Sequence, residues 1–254
     1  MKKILVLIVI FLAMFLSFYV YLNLNYETPI LMYHSLDAAR VDSYVAVDPK
    51  VFSKQMEYIA KHRYKVISLR DYCQALKDGR RLFRKTIVLT FDDGHGDNLV
   101  AFPILAELDL PATFFIIVDK LNSPGYLSRA EISQALRNPK ISIGSHTITE
   151  AYLPGLKGRE LSYEVGNSKI VLENLFSRNV ETMSYTMGGY DQETLKEVEA
   201  SGYLCACTTN RGLSKNLDRF ALRRIKITNR DLGINLWAKL SGFYNALRKP
   251  KKPY

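Results

Sequence analysis

The sequence predicts an α/β protein: a distorted parallel (β/α) barrel of about seven to eight strands, preceded by one N-terminal transmembrane helix. Apolar runs of strand length alternate with segments of helical period from residue 28 onwards, the pattern of a parallel sheet closed into a barrel. An open doubly wound sheet is the alternative, but no Gly-x-Gly-x-x-Gly or Gly-Lys-Ser/Thr motif supplies a nucleotide site for it. With 254 residues, 48% of them hydrophobic, the chain is long enough for one large domain, expected over residues 28–254.

The N-terminal segment is the most apolar part of the chain. Two lysines precede a run of nineteen residues from Ile4 to Leu22 that is interrupted only by Ser17. A helix of that length reaches about 28 Å, close to the hydrocarbon core of about 30 Å. A cleaved signal peptide is the alternative, but it would have a shorter apolar core and small residues where SFYVYLNLNY follows. We therefore expect residues 1–24 to be a signal-anchor, with the rest of the chain facing the periplasm or the cell exterior.

The strands are predicted from clusters of β-branched and aromatic residues. In chain order they are PILMYHS (29–35), KVISL (65–69), TIVLTFD (86–92), ATFFIIV (112–118), ISIGSH (141–146), ETMSYT (181–186), LCACTT (204–209) and ALRRIKIT (221–228). The helices are predicted from apolar residues at helical spacing, and Pro49 suits the first turn of the first of them. They are PKVFSKQMEYIAKHR (49–63), NLVAFPILAEL (98–108), SRAEISQALR (128–137), GRELSYEVGNSKIVLENLF (158–176), QETLKEVEASG (192–202) and INLWAKLSGFYNALRK (234–249).

The net charge of the chain indicates which kinds of partner to expect. A formal net charge of +10 suggests an anionic neighbour, such as a phosphorylated lipid surface or an acidic polymer. Part of it is concentrated near the C-terminus, but without interleaved aromatic residues, so we expect no nucleic-acid partner. The basic residues concerned are Arg248, Lys249, Lys251 and Lys252.

The three cysteines do not suggest a disulfide framework. Cys205 and Cys207 share one face of a predicted strand and Cys73 lies in a predicted helix, so we expect all three to be small buried residues.

Ionisable residues end three of the predicted strands. His34 ends the first strand, Asp92 and Asp93 end the third, and His146 ends the fifth. In parallel α/β barrels the C-terminal ends of the strands form the rim where active sites are built. Either histidine alone would be explained as a core or capping residue, but their coincidence with paired aspartates favours an active site.

The two aspartates suit metal-assisted hydrolysis better than glycoside cleavage. Adjacent residues of an extended chain point in opposite directions, whereas a glycosidase needs two facing carboxyl groups about 5 Å or more apart. One of the two aspartates can bind a metal ion while the other takes a proton from a water molecule. His146 and Glu150, four residues apart, would complete a ligand set if the chain after the strand forms one helical turn.

On these residues the chain resembles the polysaccharide deacetylases of the NodB-homology type, carbohydrate esterase family 4. TFDDG (90–94) matches the first motif of that family, and SHT (145–147) opens the second, usually His-Ser/Thr-x-x-His. PILMYHSL (29–36) and the helix and strand after it resemble the branch acting on poly-N-acetylglucosamine-like polymers. In that branch an early histidine replaces a late Leu-x-x-His motif. The likeness covers residues 28–228.

The resemblance implies a metal-dependent hydrolase that removes N-acetyl groups from the amino sugars of an envelope or exported polysaccharide. It implies Asp92 as the general base and His34 as the acid that protonates the leaving amine. It also implies Asp93 and His146 as ligands of a divalent metal ion, to which we add Glu150 as the third. Zn²⁺ is the first expectation for this ion, with Co²⁺ or Mn²⁺ as alternatives.

The region of the third motif, SYTMGGYD (184–191), supplies expected substrate contacts in Tyr185 and Gly188. His95 is expected to line the groove beside them and not to be a metal ligand. Three features depart from the family pattern. Glu150 replaces the second histidine of motif two, Thr186 and Met187 stand where proline and tyrosine are usual, and no arginine precedes the third motif to orient the base. The alternative is therefore a catalytically inactive relative that binds glycan or acts as a scaffold in the envelope.

Overall fold

The fold is described by a computed structural model over residues 2–24, 26–40, 45–212 and 218–249. Lys251 and Lys252 of the basic C-terminal segment lie outside these ranges. The strands are β1 (Ile30–Tyr33), β2 (Lys65–Ile67), β3 (Thr86–Phe91), β4 (Ala112–Ile116), β5 (Ile141–Ser145), β6 (Thr182–Ser184), β7 (Cys205–Thr208), β8 (Leu222–Arg223) and β9 (Ile225–Lys226). The helices are α1 (Lys2–Leu24), α2 (Pro49–Lys61), α3 (Leu69–Lys77), α4 (Ala101–Glu107), α5 (Arg129–Ala135), α6 (Gly158–Ser162), α7 (Ser168–Phe176), α8 (Gln192–Ala200) and α9 (Ile234–Leu240).

The helices begin where short polar side chains cap them. Asp48 accepts a hydrogen bond from the backbone of Lys50 at the start of α2, whose first residue is proline. Ser128 and Glu131 form a reciprocal capping box at the start of α5, and Asp191 caps α8. The helix predicted over residues 158–176 is divided into α6 and α7 by one π-helical turn.

The strands form one parallel sheet in the order β8-β7-β6-β5-β4-β3-β1-β9, with β2 also pairing with β3. β8 pairs with β7, β9 pairs with β1, and Arg224 alone separates β8 from β9. The two ends of the sheet are thus joined by one short segment, and the sheet curls into a distorted barrel. This confirms the predicted fold class, and the strand predicted over residues 221–228 is the one that joins the ends.

Side chains alternate between the two faces of the sheet, so the barrel has two separate apolar clusters. The outer cluster lies between the strands and the surrounding helices and includes Leu31, Leu89 and Phe114. The inner cluster fills the N-terminal half of the barrel. Its members from the strands are Ile30, Val88, Phe115, Cys205, Cys207 and Leu222, and those from α3 are Leu69, Tyr72 and Cys73. Helix α3 therefore covers the N-terminal end of the barrel, which leaves the C-terminal end for the polar residues.

A disulfide joins Cys73 of α3 to Cys205 of β7. The expectation of three unpaired buried cysteines was therefore wrong for this pair, because the folding of α3 over the barrel end brings together residues that are 132 positions apart. Cys207 is free and buried, as expected, and burial raises the pKa of its thiol to about 12. The covalent bond fixes α3 to the wall of the barrel.

Helix α1 has 23 residues, none of them buried. Among the described residues it is the one helix with the length and hydropathy to cross a membrane, properties that a signal sequence shares. The chain after it contacts the segment that follows α9: the backbone N–H of Glu27 donates to the carbonyl of Gly242 at 3.1 Å, and Tyr26 packs edge-on against Phe243. The helix thus leads into the N-terminal end of β1.

Candidate active site

The register of the strands places polar side chains together at the C-terminal rim. Tyr33 of β1 lies beside Phe91 of β3, so the residues that follow them, His34 and Asp92, are neighbours. Both continue the inward-facing rows of their strands. The Nε2 atom of His34 lies 4.0 Å from Oδ2 of Asp92. The rim thus brings together the two residues that the sequence predicts as acid and base.

Asp92 is buried and bound by Arg224. The guanidinium donates two parallel hydrogen bonds of 2.6 Å, one to each carboxylate oxygen of Asp92. Burial alone would raise the pKa of the Asp92 carboxyl, but the charge and hydrogen bonds of Arg224 outweigh it and lower this pKa. Asp92 is therefore an ionised and oriented carboxylate, although a weak base.

Arg224 is itself held rigidly, with 1% of its surface exposed. Its remaining donors bond to the carbonyl of Thr208, the hydroxyl of Thr90 and the hydroxyl of Ser184. Arg224 was not predicted from the sequence, because an arginine that orients the base was expected before the third motif. The available signal was alternation in ALRRIKIT, which places Arg224 on the same face as the inward-pointing Leu222.

Asp93 lies between two histidines. Its Oδ1 is 3.2 Å from Nε2 of His146, and its Oδ2 is 3.2 Å from Nε2 of His95. Asp93 and Gly94 both have φ of 69°, so the chain turns in the left-handed region directly after the strand. Burial would raise the pKa of Asp93, but hydrogen bonds from His146 and His95 overcome it and hold this pKa well below its usual range.

His146 is buried and fixed through both ring nitrogens. Its Nδ1 lies 2.7 Å from the carbonyl oxygen of Ser184, so Nδ1 carries the proton and donates it, while Nε2 faces Asp93. A second hydrogen bond of this kind is typical of histidines that bind metal ions, because it sets the tautomer and the ring orientation. Burial lowers the pKa of His146, but Asp93 and Asp92 raise it by more.

The backbone at His34 is held in place by the loop after β3. Asn98 donates a hydrogen bond of 2.7 Å to the carbonyl oxygen of His34, and Asp97 accepts hydrogen bonds from Ser35 and from the backbone of Leu36. Burial lowers the pKa of the His34 imidazole more than Asp92 and Asp93 raise it. The ring is therefore neutral at neutral pH, with the capacity to take up a proton and to pass it on.

The donor types around Asp93 fit a divalent metal ion. One carboxylate and two imidazoles are common zinc ligands, and two ligands bound at about 2.1 Å in a tetrahedral site lie about 3.4 Å apart. The separations of 3.2 Å from Asp93 to each histidine are close to this. In the part of the chain that the structure describes, no three His, Cys, Asp or Glu side chains are already arranged around one point at which a metal ion could bind. Asp93 faces one histidine with each oxygen, so the three residues form a row.

Glu150 is not brought to this row. Its side chain is exposed, and the helical turn that would have aligned it with His146 does not form. Thr147 and Glu150 both have φ of 70°, in the left-handed region, and the carboxylate of Glu164 accepts hydrogen bonds from the backbone of Ile148 and Thr149. His146 and Glu150 therefore do not share one face, as they would on a helix.

The residues expected to contact the substrate have different surroundings. Tyr185 is fully buried and its hydroxyl donates to the carbonyl of Phe220, so its side chain has no surface for a sugar. Gly188 is buried, and a Cβ atom there would lie 2.1 Å from the hydroxyl of Thr209, so glycine is required for packing. His95 is partly exposed and stacks on Tyr126 beside the site, and Met187 is 62% exposed.

Comparisons with known proteins point to one family. A family model for polysaccharide deacetylases matches residues 80–206. YxkH of Bacillus subtilis (strain 168), assigned to the polysaccharide deacetylases, is 31% identical over 204 residues, 80% of this chain and 72% of that protein. The poly-β-1,6-N-acetyl-D-glucosamine N-deacetylase of Staphylococcus epidermidis is 22% identical over 201 residues, 72% of this chain and 68% of that protein. The structure of the Streptococcus pyogenes deacetylase PplD in complex with acetate is similar with a TM-score of 0.77 at 26% identity, and covers 84% of this chain and 97% of that one.

Proposed function

Because the chain belongs to the polysaccharide deacetylase family, we propose that it hydrolyses the acetamide group of N-acetylated amino sugars in an envelope or exported polysaccharide. The observation that carries this proposal is the rim, where the oriented carboxylate of Asp92 lies next to His34 and to the pair of Asp93 and His146. The relative named as a poly-β-1,6-N-acetyl-D-glucosamine N-deacetylase supports a substrate of the poly-N-acetylglucosamine type.

Asp93 and His146 are the residues that would hold a divalent metal ion, with Zn²⁺ the first choice and Co²⁺ or Mn²⁺ the alternatives. His95 is the third donor in this proposal, because it lies 3.2 Å from Asp93 whereas the side chain of Glu150 is exposed. When bound, the ion supplies Lewis acidity that polarises the acetamide carbonyl and makes water more acidic. Ser184 supports the site by fixing the tautomer of His146.

Asp92 and His34 share the transfer of the proton. Asp92, kept ionised by Arg224, accepts the proton that the attacking water loses. A carboxylate with a lowered pKa returns that proton readily, and the neutral ring of His34 lies 4.0 Å away. His34 then donates a proton to the amine nitrogen as its bond to the acetyl carbon breaks. The products are acetate and the free amino sugar.

The location proposed for this reaction is outside the cytoplasm, with α1 as a membrane anchor. The disulfide between Cys73 and Cys205 supports this placement, since structural disulfides form and persist in oxidising compartments. Membrane fractionation with protease protection tests it. A soluble product that begins beyond about residue 22 would instead indicate a cleaved signal peptide.

The test of the activity is acetate release from N-acetylglucosamine oligomers by the full chain in detergent, with and without added Zn²⁺, Co²⁺ or Mn²⁺. Asp92→Asn is the matched control, because it keeps the shape of the side chain and removes the base. We expect metal-stimulated release from the wild type that the variant lacks. Oligomer binding without acetate release under any of these conditions would replace the hydrolase with the glycan-binding alternative.

A further inference from the structure

The loop between α3 and β3 carries an exposed aromatic side chain among basic ones. Its sequence over residues 79–85 is GRRLFRK. Leu82 packs against the inner cluster, whereas Phe83 keeps 81% of its surface exposed, more than any other large hydrophobic side chain in the described part of the chain after α1. One exposed apolar side chain is common on protein surfaces, so the meaning of Phe83 depends on the residues around it.

Five basic side chains lie at the same end of the barrel as Phe83. Lys65 at the start of β2 lies beside Thr86 at the start of β3, so the residues that precede the two strands share the N-terminal end. All five are exposed, and among the described residues none of the five has a carboxylate within salt-bridge distance. They are Arg63, Lys65, Arg81, Arg84 and Lys85. Together with Phe83 they form the basal surface.

Elsewhere at this end of the barrel, cations are paired with acidic side chains. Lys140, just before β5, forms a salt bridge with Asp109, and Arg70 of α3 forms one with Glu181, just before β6. The positive potential is therefore concentrated on the side that β1, β2 and β3 form, which is the side that α1 joins.

A cavity of about 460 Å³ connects the basal surface to the end of α1. Asn23 and Leu24, at the end of α1, line it together with the loop before β3. Its charged lining residues are Glu27, Arg80, Arg81 and Arg84. Arg80 is paired with Asp78 at 3.2 Å, outside the cavity lining. The basal surface therefore lies at the level where α1 ends.

Further contacts connect the end of α1 to the barrel. The hydroxyl of Tyr21 donates to the carbonyl oxygen of Ala246 at 3.4 Å, and the guanidinium of Arg84 lies 5.7 Å from the centre of the Tyr26 ring. Tyrosines near the end of a membrane helix are typical of the level of the lipid headgroups, and Tyr19 and Tyr21 have this position in α1. With α1 in a bilayer, the basal surface would face the headgroups.

We propose that the basal surface lies on the headgroups of an anionic lipid bilayer, with Phe83 inserted where the headgroups meet the acyl chains. Basic residues close to an anionic membrane surface are attracted to it, and an aromatic side chain among them adds buried apolar area. The proposal rests on α1 as the membrane anchor of the proposed function and adds a second contact with the lipid. A single helix leaves the barrel free to tilt, whereas two contacts direct the rim away from the lipid.

The first test places a fluorescent side chain in the loop of the full chain, reconstituted in lipid nanodiscs. Phe83→Trp is combined with Trp237→Phe, so that position 83 carries the single tryptophan of the chain. Lipids brominated in their acyl chains quench a tryptophan that reaches them. We expect strong quenching in nanodiscs that contain phosphatidylglycerol and much weaker quenching in phosphatidylcholine alone.

The matched control for this test is Ile234→Trp, also combined with Trp237→Phe. Ile234 is 73% exposed, but it begins α9, which follows the C-terminal end of β9. It therefore lies toward the rim, and a tryptophan there should not be quenched in either lipid.

The second test removes charge from the loop. Arg81→Gln and Arg84→Gln, each added to the chain with Phe83→Trp, should lower the equilibrium constant for lipid contact by about fivefold, the effect of one basic residue near an anionic surface. Quenching in the nanodiscs with phosphatidylglycerol should fall accordingly. Lys196→Gln, on the exposed face of α8, is the matched control and should leave quenching unchanged.

Acetate release from N-acetylglucosamine oligomers is measured on the same nanodiscs with added Zn²⁺. The arginine variants should release acetate as the wild type does, because the basal surface is at the end of the barrel away from the rim. Equal quenching at position 83 in both lipids would overturn this proposal and leave the deacetylase function intact. Quenching as expected without acetate release from any sample would instead overturn the proposed function. Reduced acetate release by the arginine variants with unchanged quenching would show that the basal surface binds the polysaccharide and not the lipid.

Discussion

Arg224 binds both carboxylate oxygens of Asp92 through hydrogen bonds of 2.6 Å, although the two residues are 132 positions apart in the chain. Arg224 occupies the one-residue gap between β8 and β9 where the two ends of the sheet meet, and the pair lies inside the barrel. The residue that joins the two ends of the sheet therefore also orients the proposed general base.

Arg224→Met should strongly destabilise the protein, because it leaves the carboxylate of Asp92 buried without its partner. We expect the free energy of unfolding to fall by about 3–5 kcal/mol, the usual cost of breaking a buried ion pair from one side. Chemical denaturation of the full chain in detergent measures this. Addition of Asp92→Asn removes the stranded charge and should recover part of the loss, so a double variant less stable than Arg224→Met would contradict the explanation.

The two neighbouring aspartates should have separable roles. Asp93→Asn should lose bound metal, because it removes the carboxylate that both histidines face. Asp92→Asn should keep its metal and lose turnover, because water then lacks its base. Metal analysis and acetate release are measured on the same samples, and equal metal content with equal residual activity in both variants would refute the assignment.

The third metal ligand should be His95 rather than Glu150. His95→Gln should reduce the zinc stoichiometry or affinity measured by calorimetry, and Glu150→Gln should leave both near the wild-type values, because its side chain is exposed. Both changes introduce the same neutral glutamine side chain, which is close in size to glutamate. The reverse pattern would show that the loop after β5 rearranges and delivers Glu150, in which case Glu150→His should tighten zinc binding.

His34 should affect the rate of hydrolysis and not the binding of the metal ion. Removal of a general acid typically lowers the rate by about 10²–10⁴, so His34→Ala should lower kcat by a factor in that range while metal content stays the same. Rapid-quench measurement of acetate release together with metal analysis checks both. Loss of metal in His34→Ala would make His34 a ligand and require a different proton donor.

Reduction of the disulfide should destabilise the barrel by freeing α3. A cross-link that closes a loop of 132 positions removes much of the freedom of the unfolded chain, and its loss should cost about 3–5 kcal/mol. Thermal unfolding of the full chain with and without dithiothreitol measures the effect. Cys207→Ala is the control and should remain sensitive to the reductant, whereas Cys73→Ser should not; equal melting temperatures in all samples would exclude a structural role for the bond.

The barrel and the position of its rim could be predicted because they depend on local patterns: strand-length apolar runs, helical periods, and polar residues where strands end. Arg224 and the disulfide could not be predicted, because both depend on which distant segments the closed sheet brings together. The exposure of the Glu150 side chain was not predicted, and the reason is local. Spacing of four residues implies a shared face only on a helix, and left-handed residues at Thr147 and Glu150 break that geometry.

The N-terminal helix leads into one end of the barrel while the reactive rim lies at the other. With α1 in a membrane, as proposed, the barrel would lie between the bilayer and the reactive rim. The six residues of β3, tilted as strands of a barrel are, give the barrel a height of about 15 Å. Tyr26 and Glu27, just before β1, contact Phe243 and Gly242, so this part of the connection is fixed to the barrel. Deacetylation would then be confined to a layer of polymer at a fixed height above the lipid surface. Lengthening of the connection between α1 and β1 would move that layer outward without any change in the chemistry.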